Sequence, residues 1–102
     1  MPDPIQPDPV DEGLRALVTE PSYAAQVLNA TARLLELGAP ESLTVLACER
    51  ALDVAADGIL RTLPEVVHRD SLARAAAVLP LITEGITRGE YALQLRDAAR
   101  RI

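Results

Sequence analysis

Residues 22–38 read SYAAQVLNATARLLELG, and this stretch decides the fold class. Tyr23, Val27, Ala30, Leu34 and Leu37 recur at spacings of four and three, with Ala24, Leu28 and Leu35 widening the seam. Gln26, Asn29, Arg33 and Glu36 repeat at similar spacing on the opposite side. One apolar and one polar side at a period of 3.6 residues is the pattern of an amphipathic helix. Ser22 suits its N-cap, and Gly38 stands where a helix can end in the left-handed conformation.

The same reading extends in both directions. Downstream, Pro40 opens a predicted helix that runs to about Leu63, where Pro64 stops it. Ala47, Ala51, Ala55 and Gly58 form a strip without bulk, flanked by Val45, Cys48, Leu52 and Ile59, so a neighbouring helix should approach closely here. Asp70 suits the cap of a fourth helix with the seam Leu72, Ala75, Ala76, Leu79, Ile82 and Ile86, and Pro80 should kink it. A last helix from about Glu90 buries Tyr91, Leu95, Ala98 and Ile102. Upstream, a short helix is expected over 11–19, behind a Pro-rich arm over 1–10 that should be extended or disordered. The expected fold is therefore all-α. It is a compact bundle of four to five helices over 11–102, with a long central third helix and a Pro-kinked fourth.

Composition agrees. Alanine and leucine dominate an apolar fraction of 49%, and phenylalanine and tryptophan are absent, so local propensity favours helix throughout. The cations are all arginine, in the manner of GC-rich bacterial genomes. A net charge of −5 argues against a grip on nucleic acid or an anionic membrane. With one cysteine there is no internal disulfide. Neither a signal peptide nor a membrane span is legible, so the expected location is the cytoplasm.

Four leucines fall outside the core patterns. Leu46 and Leu60 lie among the charged residues of the third predicted helix. Leu81 accompanies Arg74, Glu84 and Arg88, and Leu93 accompanies Arg96 and Arg100. Single exposed leucines are ordinary, but four in three helices point to a second packing surface, the commonest use of which is a symmetric homodimer.

His68 is the one histidine, and three motifs meet on it. His68-Arg69-Asp70 is the catalytic-loop tripeptide of protein kinases, but Ala75 stands where their asparagine belongs and no glycine-rich loop is present. Glu65-x-x-His68 has the helical spacing of a carboxylate–imidazole pair for metal, which a dimer would double, with Glu36, Glu49 or Asp53 as further ligands. Arg61, followed by six residues and His68, is similar in spacing to the RNase motif of HEPN-type toxins, which are small helical dimers. That resemblance covers two positions and generic hairpins. Pro64 interrupts the pair, and Thr62 alone represents the polar residue that follows the arginine. The plainer reading puts His68 in a solvated interhelical turn.

Cys48 lies on a buried arc beside Glu49, which raises a thiol pKa and describes a core cysteine. Ser22, Ser42 and Ser71 sit at or near helix starts. No cofactor fingerprint is present. The expected function is a non-catalytic protein–protein interaction module, homodimeric and open to a further protein partner, with Leu46, Leu60, Leu81 and Leu93 as binding residues and no cofactor. A small dimeric enzyme or metal protein using His68 with Glu65 or Arg61 is the alternative, and an apolar cavity left by the missing aromatics is a third possibility.

Overall fold

The structure is a computed structural model and describes residues 21–102. The expected arm over 1–10 and short helix over 11–19 lie outside the described residues. Four helices follow in order: α1 (Tyr23–Glu36), α2 (Val45–Leu60), α3 (Glu65–Ala77) and α4 (Arg88–Ala99). Among the described residues there is no strand, only an isolated antiparallel bridge between Ser42 and Thr87. None of these helices is long and apolar enough to cross a membrane.

α1 forms over nearly the expected span, but its buried face is turned from the expected seam: of Tyr23, Val27, Ala30, Leu34 and Leu37 only Val27 is buried, while Tyr23 and Leu37 are exposed. Ser22 caps it, its hydroxyl oxygen accepting from the Ala25 amide at 3.1 Å. Ala24, Ala25, Val27, Leu28, Ala32 and Leu35 are buried, as is Thr31, whose hydroxyl donates to the Val27 carbonyl at 2.8 Å. Gly38 is not left-handed; Leu37 closes α1 in right-handed conformation, and among the described glycines Gly85 has positive φ, at 79°. α1 touches all three other helices, most extensively α4 and then α2. The central helix is therefore α1, and the expectation of a long central third helix is corrected.

Two features shorten α2 relative to the expected 40–63. Thr44 caps it, accepting from the Ala47 amide at 3.1 Å, and residues 39–43 bond to another part of the chain instead of to the helix. Gly58 is exposed, and an added Cβ there would meet nothing within 4 Å, so it is no point of close helix approach. Leu60, expected among the charged residues, is fully buried. It lies one turn beyond the buried Ala56, at the end of α2 that packs into the core.

The fourth expected helix is corrected in register. α3 begins directly after Pro64, whose carbonyl accepts from the His68 amide at 2.9 Å. Asp70 is then mid-helix, paired with Arg74 at 3.1 Å rather than capping. The helix stops at Ala77, so Pro80 kinks nothing. It lies in an irregular strap, residues 78–87, because a proline supplies no amide and pushes the preceding Leu79 away from helical conformation. α4 starts with a capping box. Thr87 accepts from the Glu90 amide at 3.1 Å, and the Glu90 carboxylate accepts from the Thr87 amide at 3.3 Å. Tyr91, Leu95 and Ala98 are buried as expected.

The two long connections are laced together. The Leu43 amide donates to the Ile86 carbonyl at 2.9 Å, the Arg88 amide to Glu41 at 2.8 Å and the Gly89 amide to Ala39 at 3.0 Å. Gly89 permits this approach: an added Cβ would stand 3.1 Å from Ala39 Cβ and 3.2 Å from its oxygen. Gly89→Ala should therefore lower stability by about 1–3 kcal/mol, measured by urea denaturation. By the same assay Leu60→Ala should cost about 2–5 kcal/mol and Leu46→Ala less than about 0.5 kcal/mol, which separates a core from a surface leucine.

Candidate functional site

The strap owes its position to three anchors. Ile86 is buried and bonded to Leu43, as above. The turn at Gly85 carries a bond from the Ile86 amide to the Thr83 carbonyl at 3.2 Å. Tyr91, the largest fully buried side chain, reaches out of the core and donates its hydroxyl to the Pro80 carbonyl at 2.8 Å. Pro80 thus gives up its amide as a donor but keeps its carbonyl bonded, which holds residues 79–82 as a ridge across the molecule.

A depression lies on each side of that ridge. Between it and α2 is an open apolar groove of about 390 Å³, lined by Val45, Cys48, Glu49, Leu52, Leu79, Pro80, Leu81, Ile82 and Tyr91. Glu49 is its one charged group. On the other side, towards α4, Val78, Pro80, Leu93, Gln94, Asp97, Ala98 and Arg101 line a more polar hollow of about 420 Å³.

The structure sorts the four leucines. Leu81, 86% exposed, stands on the ridge and lines the groove, and Leu93, 69% exposed, lines the hollow towards α4. Leu46 is 54% exposed but does not line either depression, and Leu60 belongs to the core. Sequence reasoning missed Val45, 58% exposed at the groove, and treated Leu79 and Ile82 as a helical seam. Pro80 and Gly85 were the signals that the helix ends before them.

Cys48 forms part of the groove floor and is only 5% exposed. Burial pushes its thiol up; the neighbouring Tyr91 hydroxyl partly offsets this, and Glu49 adds to it. Burial likewise pushes the Tyr91 phenol well above its ordinary value, with Cys48 contributing. Both groups are neutral at physiological pH, so the groove is an apolar surface with no thiolate in it.

The residues around His68 are engaged elsewhere. Glu65 pairs with Arg69 at 2.6 Å, and Arg61 pairs with Asp57 within α2. Arg61 closes α2 while His68 lies in the first turn of α3, so the two stand on different helices. Among the described residues no three His, Cys, Asp or Glu side chains cluster as metal ligands. Two helix–connection–helix units laced through their connections could also suggest calcium, which needs several oxygen ligands from each loop. Residues 37–44 carry one carboxylate, Glu41, which pairs with Arg88 at 3.5 Å, and residues 78–87 carry only Glu84.

The strongest ion pair has a structural part to play. Arg96 of α4 donates from Nε and a terminal nitrogen to both oxygens of Glu36 at 2.8 and 3.0 Å, tying α4 to the end of α1. This hydrogen bonding holds the Glu36 carboxyl below its ordinary value of 4.5.

No protein family, curated protein or solved structure matches the chain.

Tyr91→Phe removes the donor to Pro80 and should cost about 1–3 kcal/mol by urea denaturation. Alkaline behaviour gives an independent check. Because the folded state raises the Cys48 and Tyr91 pKa values, their contribution is intact below the ordinary values of 9.0 and 10.0 and is lost as pH rises past them. Stability should decline from about pH 9 upward, and the decline should be shallower in Tyr91→Phe.

Proposed function

We propose that this protein is a non-catalytic helical interaction module that works as a homodimer, serving as a subunit, adaptor or regulator of a further protein. The carrying observation is the ridge over residues 79–82, which presents Leu81 almost wholly to solvent beside an apolar groove while its backbone is tied to the core through Tyr91. An apolar side chain held on a fixed scaffold loses little conformational freedom when it is covered, which favours recognition. The neutral state of Cys48 and Tyr91 supports binding over catalysis at this place.

Sedimentation velocity at micromolar concentration should show a dimer. The double variant Leu81→Asp/Leu93→Asp should sediment as a monomer with an unchanged helical circular dichroism spectrum. A wild-type chain that is strictly monomeric at every concentration tested would overturn the homodimer.

A further inference from the structure

We infer that residues 80–85 are a latched gate, which swings away from the bundle as one unit between Leu79 and Gly85 while the four helices stay folded. The hydrogen bond from Tyr91 to Pro80 is the latch. The inference concerns a single copy and goes beyond the homodimer reading.

Both ends of this unit are secured. The Leu79 amide donates to the Ala76 carbonyl at 3.3 Å, and the buried Ile86 accepts from the Leu43 amide at 2.9 Å. Among the described residues, one hydrogen bond ties residues 80–85 to another element, the bond from the Tyr91 hydroxyl to the Pro80 carbonyl at 2.8 Å. The Thr83 carbonyl accepts from the Ile86 amide, but that bond lies inside the turn. The amides of residues 81–85 donate to no described protein group, and Leu81, Thr83, Glu84 and Gly85 are exposed, so water serves this backbone in the closed state as in the open one. Opening therefore loses the latch and the partial burial of Pro80 and Ile82, whereas global unfolding gives up the whole core. A segment held so lightly opens at far lower free energy than the protein unfolds. Gly85 supplies the far hinge, with a φ of 79° and open space where a side chain would stand.

The latch stands between the two hollows. Pro80 lines both the groove of about 390 Å³ towards α2 and the hollow of about 420 Å³ towards α4. Swinging Pro80 outward removes the wall they share and joins them in one trough. Cys48 lies in that groove, 5% exposed and beside the Tyr91 hydroxyl, so the movement that frees Pro80 also uncovers the thiol.

Cys48 is the one cysteine of the chain, and its reaction with the aromatic disulfide reagent DTNB reads the opening in the whole protein. In urea concentrations below the unfolding transition, the rate should correspond to an opening about a hundredfold or more populated than global unfolding, and it should hardly change with urea. Tyr91→Phe releases the latch and should speed the reaction about five- to hundredfold. Losing the hydroxyl also withdraws a hydrogen bond that lowers the thiol pKa, which by itself slows the reaction, so acceleration reports the gate. Gly85→Ala touches neither the thiol nor the core, strains the closed turn and should speed the reaction about five- to thirtyfold. The same rates in the Leu81→Asp/Leu93→Asp background separate the gate from any covering by a second copy. A Cys48 rate that follows global unfolding in population and urea dependence, a rate equal to that of a free thiol, or a rate that either variant leaves unchanged would overturn the gate.

Discussion

Pro80 has no amide hydrogen, and that absence organises the chain between α3 and α4. A chain with the apolar pattern of residues 70–86 would otherwise extend one helix through Ile86. Because Leu79 before the proline is driven from helical conformation, α3 ends at Ala77 and ten residues must cross the bundle without helical bonds. Their backbone groups then need other partners. Tyr91 supplies one, Leu43 another, and Gly85 makes the turn that returns the chain to α4. The ridge, the groove beside it and the exposure of Leu81 all follow from this detour.

Apolar burial carries the stability that the detour uses. Fully burying a leucine or valine contributes about 1.5–3 kcal/mol, and α1 alone buries Val27, Leu28 and Leu35. Exposed ion pairs such as Arg61–Asp57, Arg69–Glu65 and Arg74–Asp70 each contribute only about 0.3–0.5 kcal/mol. Three of them together contribute about 0.9–1.5 kcal/mol, no more than the lower end for a single core leucine. The bidentate Arg96–Glu36 contact differs in kind, since it joins residues sixty positions apart. With no phenylalanine or tryptophan, the core is built largely from alanine and leucine, and Tyr91 is its largest fully buried side chain. One aromatic thus fills the interior and anchors the strap at Pro80.

The all-helical class was legible because alanine and leucine at 3.6-residue spacing have no strand reading. α1 was legible in its span and in its Ser22 cap, though its buried face is turned from the expected seam, and α4 was legible in its core residues Tyr91, Leu95 and Ala98, though it starts at Arg88 behind the Thr87 cap. The error at residues 64–87 came from giving Asp70 the capping position and reading Pro80 as a kink. Local sequence favours both, yet the free helix start after Pro64 and the distant Leu43 and Tyr91 partners decide the outcome. Leu60 was misplaced for a related reason. The apolar face was read along Val45, Cys48, Leu52 and Ile59, whereas the buried face at the end of α2 takes in Ala56 and, one turn on, Leu60. Leu81 stood out correctly as an apolar residue without a core position; that its neighbours form a groove depends on contacts no local pattern contains. The lack of a side chain at Gly89 admits Ala39, a contact between distant parts of the chain that no local pattern contains.

The central proposal is that residues 79–82, with Leu81 exposed on them, and the adjoining start of α2 lie in the surface that a second copy would cover. Amide hydrogen exchange followed as a function of protein concentration tests it most directly. Protection should rise with concentration in residues 79–82 and in the first turns of α2, with the exposed side of α3 unchanged. Exchange that is independent of concentration along the whole chain, or protection gained on α3 and not on the ridge, would contradict the account.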